Sequence, residues 1–128
     1  MKHLSVFLLA TLMAACGTDH PFDRGDDLPP GNEVEVPTGP VSFAADVKPI
    51  LQSCTACHSG GAGGWVYAGG AESYAAVIDV IDELNPDNSE LLIKAIGGDG
   101  HGGGTLFSAS SASYETIIAW IEQGAEDN

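Results

Sequence analysis

Residues 54–58 read Cys54-Thr55-Ala56-Cys57-His58, and this five-residue run decides how the rest of the chain is interpreted. Two thiols separated by two residues can each add to one vinyl group of the same porphyrin, which gives two thioether bonds. The histidine that follows is then held beneath the ring, where its imidazole can bind the iron. The motif therefore predicts one covalently attached haem c per chain, with Cys54 and Cys57 as attachment sites and His58 as the proximal iron ligand.

Three other interpretations of the two cysteines stay open at the level of sequence. A C-x-x-C pair can be a redox-active dithiol, although that function is typical of a βαβ context. It can supply half of a zinc site, although the chain has no second C-x-x-C or H-x-H pair to complete one. It can also form a structural disulfide. The adjoining His58 and the predicted export of the chain favour haem.

Residues 1–15 predict a signal peptide, and the next residue predicts a lipid anchor. A short polar start precedes an apolar run from Leu4 to Ala15, which is too short to span a bilayer as a stable helix. The run Leu-Met-Ala-Ala-Cys at 12–16 resembles a bacterial lipobox, although Met13 stands where leucine is usual. This resemblance implies cleavage before Cys16 and lipidation of its thiol. The alternative is an ordinary secretory signal in which Cys16 has no such role.

Residues 16–40 predict a lipidated N-terminus followed by a disordered acidic linker. Six acidic residues and five prolines lie between 17 and 40, with too few apolar residues to offset the ordering entropy. Such a coil reaches about 25–30 Å, which would tether the next domain near a membrane. His20 is expected to be a solvated loop histidine. The predicted location is the periplasmic or cell-surface side, and Gly17 after the cysteine implies the outer membrane if the host has one.

The charge of the chain excludes one class of partner. Eighteen Asp and Glu residues face four Lys and Arg residues, one of which, Lys2, lies in the predicted signal peptide. Such a surface repels nucleic acid and anionic lipid, and it favours redox partner proteins that carry positive docking patches.

The folded domain is predicted to begin at Val41 with an amphipathic helix. Ser42 is the expected N-cap, and apolar residues recur at helical spacing from Phe43 to Leu51. Pro49 conflicts with a regular helix interior, so a kink or a late start is expected there. The helix is expected to end near Cys54.

The rest of the domain is predicted to be short helices and glycine-rich loops, without a strand of useful length. The predicted elements are a helix over 72–81, a turn at 85–88, a third helix capped by Ser89, and a last helix over 114–123 capped by Ser113 and stopped by Gly124. Trp65 lies in the first glycine-rich loop, where it is expected either to contact the haem, by packing on the ring edge or by bonding a propionate, or to fill a small core.

Three further stretches accompany the cysteine motif: Phe43-x-x-Asp46-Val47-x-Pro49-Ile50-Leu51, Pro86-x-Asn88-Ser89-x-Leu91-Leu92 and Trp120-Ile121-x-x-Gly124-Ala125. With the order of the elements, they resemble the small class I cytochrome c domains of planctomycete-type and related bacterial proteins. The resemblance covers residues 41–125. It implies an all-α fold around one covalently attached haem, with long glycine-rich loops and with the first and last helices packed together beside the haem.

The chain departs from that family at the second axial ligand. Such domains usually place a methionine in the loop before the last helix, but the only methionines here are Met1 and Met13, in the predicted signal peptide. His101 stands in that loop and is the expected distal iron ligand. The alternatives are an exposed His101 over a five-coordinate haem and, more remotely, ligation by Lys94.

The function implied by these features is electron transfer by a membrane-tethered monohaem c-type cytochrome that makes and breaks no substrate bond. The first alternative is a haem-based sensor or a small peroxidase-like module with an open distal site. A remote alternative is a haem-free C-x-x-C redox protein. No acid–base cluster accompanies the motif, which disfavours a hydrolase.

Overall fold

The structure, a computed structural model, describes residues 36–128. The predicted signal peptide, Cys16, His20 and the linker up to residue 35 lie outside the described residues. Within 36–128 the secondary structure is helical and contains no strand, which confirms the all-α prediction for this part of the chain. No helix in this range is both long and apolar enough to cross a membrane.

The first helical segment covers residues 43–58 and changes its hydrogen-bonding pattern along its length. It is π-helical, then α-helical, then 3-10 and again α-helical, over Phe43–Val47, Lys48–Ile50, Leu51–Cys54 and Thr55–His58. The N–H of Lys48 reaches back to the carbonyl of Phe43, so a wide turn lies directly before Pro49, which has no N–H to donate. The segment thus accommodates the proline without a late start. It also continues past the predicted end at Cys54, so the cysteine motif lies inside the helical segment.

Ser42 caps this first helical segment, as predicted. Its Oγ accepts a hydrogen bond from the N–H of Ala45 at 3.1 Å, and its own N–H donates to Asp46 Oδ2 at 2.8 Å. Asn128 completes the cap from the other end of the chain. Its main-chain oxygen accepts from Ser42 Oγ at 2.7 Å, and its Oδ1 accepts from the N–H of Phe43 at 2.9 Å. The folded unit therefore extends past residue 125, where the predicted domain ends.

Three helices follow the first segment. They are the second helix Ser73–Ile78, the third helix Glu90–Ala95 and the C-terminal helix Ala112–Glu122, with short 3-10 turns at Ala62–Gly64 and Pro86–Asn88. Ser89 occupies the N-cap position of the third helix, but its side chain makes no capping bond. Its Oγ instead accepts from the N–H of Asp82 at 2.9 Å, so it ties the third helix to the preceding loop.

The C-terminal helix begins earlier than the sequence predicts because Ser111, and not Ser113, is its cap. Ser111 has an extended backbone, and its Oγ accepts from the N–H of Tyr114 at 3.2 Å. Ser113 lies inside the first turn. Two serines two residues apart give the same cap signal in a sequence, and only the backbone conformation separates them.

The predicted stop at Gly124 is confirmed. Gly124 has a φ of +100°, a left-handed conformation that favours glycine. The N–H groups of Gly124 and Ala125 donate to the carbonyls of Ile121 and Trp120, both at 3.0 Å. This pair of bonds is the Schellman arrangement that closes many helices.

The first segment and the C-terminal helix pack against each other, as the resemblance implies. The ring centre of Phe43 lies 5.4 Å from that of Trp120 and 5.3 Å from that of Tyr74. The hydroxyl of Tyr74 donates to the carbonyl of Ala125 at 2.9 Å. The buried core around these rings comprises Val41, Phe43, Val47, Leu51, Tyr67, Val77, Leu91, Leu92, Ile117, Trp120, Ile121 and Ala125.

Ser111→Ala should lower the free energy of unfolding by about 1 kcal/mol, because it removes the acceptor for the N–H of Tyr114. Ser113→Ala is the matched control and should change it by less than about 0.5 kcal/mol. Urea denaturation followed by far-ultraviolet circular dichroism measures both values. A loss at Ser113 that equals or exceeds the loss at Ser111 would place the cap at Ser113.

Candidate functional site

The structure brings His58 and His101 together. Their ring centres lie 6.1 Å apart, and the ring planes are 9° from parallel. His58 ends the first helical segment, whereas His101 lies in the glycine-rich loop between the third and C-terminal helices. The two histidines are far apart in the sequence, so this proximity is a product of the tertiary fold. This separation of the ring centres is compatible with two ligands of one metal ion.

The Nδ1 atom of each imidazole lies near a main-chain carbonyl. His58 Nδ1 is 3.4 Å from the carbonyl oxygen of Trp65, and His101 Nδ1 is 2.9 Å from that of Gly104. In the tautomer that makes these bonds, Nδ1–H is the donor and Nε2 keeps its lone pair. Such a bond also orients an imidazole towards a metal and raises its basicity. In that tautomer the Nε2 atom of each side chain is available to accept a proton or bind a metal.

The spacing of the two rings suits a single metal ion between them. An imidazole nitrogen binds a first-row metal ion at about 2 Å and lies about 1 Å from its own ring centre, so two imidazoles that share an ion have centres about 6 Å apart. The residues 36–128 contain no group of three or more His, Cys, Asp or Glu side chains that could hold an ion by themselves. Two histidines suit an iron whose remaining ligands come from a porphyrin.

The loop around His101 is tightly turned. The N–H of His101 donates to the carbonyl of Gly98 at 3.2 Å, and the carbonyl of His101 accepts from the N–H of Gly104 at 3.0 Å. A Cβ placed on Gly103 would approach His101 Cε1 to 3.0 Å, which is closer than ordinary contact. Glycine at this position therefore leaves room for the imidazole.

Lys94, the remote alternative ligand, is engaged at the start of the same loop. Its Nζ donates to the carbonyl of Asp99 at 3.2 Å and lies 4.0 Å from Asp99 Oδ2. His101, and not Lys94, is the residue that lies beside His58.

Trp65 packs against the imidazole of His58. Their ring centres are 4.8 Å apart with planes at 61°, and Trp65 also stacks on Tyr67 at 5.1 Å. The indole Nε1–H donates to the carbonyl of Ala76 in the second helix at 2.7 Å. The indole N–H is therefore already used, and a propionate would have to displace its bond to Ala76. The choice between packing on a haem edge and filling a small core stays a prediction.

Cys54 is a half-buried thiol that forms no disulfide. Burial raises the pKa of the Cys54 thiol to about 11, against a smaller lowering effect from a backbone hydrogen bond. The thiol is therefore protonated at neutral pH, whereas a redox-active dithiol needs an accessible thiolate there. Cys54 therefore lacks the environment of the reactive thiol of a C-x-x-C oxidoreductase.

The buried hydroxyl groups of Tyr67 and Ser73 are a feature that sequence reasoning missed. The hydroxyls of Tyr67 and Ser73 are buried and have no hydrogen-bond partner of good geometry among the described residues. Burial raises the pKa of Tyr67, the thiolate form of Cys54 would raise it further, and the nearby Ser73 hydroxyl acts in the opposite direction. Orphaned buried hydroxyls mark a place for a water molecule or a polar edge of a bound group. No residue pattern in the sequence signals them.

Comparisons of the chain with protein-family models, with curated proteins and with solved structures found no match. The site therefore defines a class only: a small helical protein with two parallel imidazoles at the end of a C-x-x-C-H segment. The resemblance to class I cytochrome c domains rests on the residues quoted from the sequence.

In the haem-free chain, Cys54 should react slowly with iodoacetamide at pH 8 and faster towards pH 11, because burial raises its pKa to about 11. Unfolding in urea should speed the reaction at pH 8 by about tenfold or more. Mass spectrometry of the peptide that contains Cys54 measures the rate.

The same shift makes stability depend on pH. The thiol of Cys54 has a pKa of 9.0 in the unfolded chain and of about 11 in the folded chain. Its contribution to the free energy of unfolding is therefore fully present below pH 9 and is lost as the pH rises through 11. Cys54→Ala is the control and should remove that part of the decline. Equal alkylation rates at pH 8 for the folded and unfolded chains would contradict the buried thiol.

Proposed function

We propose that this protein is a monohaem c-type cytochrome that transfers electrons outside the cytoplasm while a lipid on Cys16 tethers it to a membrane. The observation that carries the proposal is the pair of parallel imidazoles of His58 and His101, 6.1 Å apart and each oriented through Nδ1. Thioether bonds to Cys54 and Cys57 and axial bonds to the two histidines would hold the haem. Once bound, its iron supplies one-electron chemistry.

Attachment requires both thiols in the reduced form. Each S–H adds across a vinyl double bond, so sulfur bonds to one carbon, hydrogen goes to the other, and no electrons are exchanged. Cys54 is a free thiol in the structure and meets this requirement. The protonated state of Cys54 protects it from oxidation until the vinyl group arrives.

The two histidines support electron transfer over the alternatives. With His58 and His101 both on the iron, no axial position is open to a gas or peroxide. Two imidazoles stabilise ferric iron better than an imidazole and a thioether, so the potential lies below that of a methionine-ligated relative. The excess of acidic residues acts in the same direction, because negative charge disfavours the addition of an electron.

A haem-based sensor or peroxidase-like module is the second candidate, and one observation favours it. The bond from His101 Nδ1 to Gly104 lies within the loop, and six of the eight residues from 97 to 104 are glycine. The loop can therefore carry His101 away from His58 as a unit without breaking that bond. The haem-free redox protein is disfavoured by the raised pKa of Cys54.

The chain exported with a haem-attachment system should retain its haem through acid–acetone extraction and give the pyridine haemochrome spectrum of a two-thioether haem. Cys54→Ser/Cys57→Ser should release the haem on extraction. Cys16→Ser is the matched control, since it should keep covalent haem and lose only membrane attachment. Haem that extracts freely from the native chain, or a mature mass without the porphyrin, would contradict the proposal.

His101→Met should raise the reduction potential and introduce the weak far-red band of sulfur-to-iron charge transfer. His101→Ala should open the distal side to carbon monoxide, which optical titration of the reduced protein measures. His20→Ala is the matched control, because His20 lies in the predicted linker, and it should leave the spectrum unchanged. If the native protein binds carbon monoxide as readily as His101→Ala does, His101 is a loop histidine and the sensor candidate replaces electron transfer.

A further inference from the structure

An open groove with a volume of about 410 Å³ lies beside Trp65. We call it the Trp65 groove, and it is lined by Gly63, Gly64, Trp65, Val66, Ala76, Asp79, Val80 and Glu90. Val66 is 60% exposed, which is unusual for an apolar side chain of this size in the described residues. The groove therefore combines an apolar wall with access from solvent.

The polar side chains of the Trp65 groove are both acidic. Asp79 and Glu90 are exposed, and within residues 36–128 neither has an ion-pair partner. The two lysines of that range are engaged away from the groove, Lys48 with the carbonyl of Gly70 and Lys94 with Asp99. A groove with an apolar wall and two unpaired carboxylates fits a lysine or arginine, whose stem is apolar and whose head is cationic.

Trp65 joins this groove to the candidate metal site. Its indole lines the groove and also packs on His58, with ring centres 4.8 Å apart. A molecule seated in the groove is thus separated from the proposed proximal ligand by one side chain.

We propose that the Trp65 groove is the docking site for a redox partner protein that inserts a lysine or arginine from a positive patch beside its own redox centre. That the partner is a redox protein rests on the proposed function, because a haem bound at His58 would be the acceptor of the transferred electron. The docking of a cationic side chain rests on the groove alone. A second copy of this acidic chain is disfavoured as the occupant by charge repulsion.

The binding test uses the full chain and a tetralysine peptide as the probe, followed by amide chemical shifts at low ionic strength. The largest shifts should fall on Gly63, Gly64 and Val66. Asp79→Asn/Glu90→Gln should weaken binding by about threefold to tenfold, and added salt should weaken it in the native chain. The matched control, Glu126→Gln/Asp127→Asn, removes the same charge outside the groove and should weaken binding by less than about twofold. Shifts spread evenly over the acidic surface, or equal losses in the two variants, would overturn the proposal.

The electron-transfer test uses the haem-loaded chain and a tetralysine peptide that carries a photo-excitable ruthenium complex. The rate of haem reduction at subsaturating peptide should fall by about threefold or more in Asp79→Asn/Glu90→Gln and stay near native in the control pair. Equal rates in the two variants would overturn the groove as the site of electron entry. If no haem is attached, the proposed function fails, while the shift titration still decides whether the groove binds a cationic chain.

Discussion

The short distance between His58 and His101 is the constraint on which the other features of the site depend. His58 is fixed because it ends a helical segment that is anchored at its start by Ser42 and packed on Trp120 through Phe43. Turns within the glycine loop orient His101 relative to the rest of that loop. The two supports lie in separate parts of the chain, so only the tertiary fold sets the 6.1 Å separation. The domain is also small for a single apolar core, and a bound haem would add apolar surface to it.

Much of the architecture follows from local sequence patterns, and the exceptions have physical causes. The cap at Ser42 and the stop at Gly124 were predictable because each depends on one side chain or one φ angle. The path of the chain at Pro49 was not, because a proline can end a helix or be absorbed by a wider turn. The choice of Ser111 over Ser113 likewise depends on backbone conformation.

Some features of the candidate site could likewise be predicted from the sequence, whereas others arise only from the tertiary structure. The motif at 54–58 identifies two thiols and an imidazole from spacing alone. The position of His101 in the loop before the last helix predicts it as a candidate ligand. The parallel orientation of its ring to that of His58 and the contacts of both Nδ1 atoms with carbonyls arise from the folded structure. The orphaned hydroxyls of Tyr67 and Ser73 carry no sequence signal, since burial and not residue type makes them unusual. The groove beside Trp65 is equally invisible, because it forms between separate elements.

The central claim is that His58 and His101 share one haem iron. The electron paramagnetic resonance spectrum of the native ferric protein tests this claim most directly. Two imidazole ligands make ferric haem low-spin, and parallel ligand planes separate the iron orbitals, so three resolved g-values are expected. Because the ring planes are only 9° from parallel, the spectrum with three resolved g-values is predicted. Crossed ring planes would instead give a single large g-value. A high-spin ferric spectrum would contradict the account, because it would show that His101 does not bind the iron.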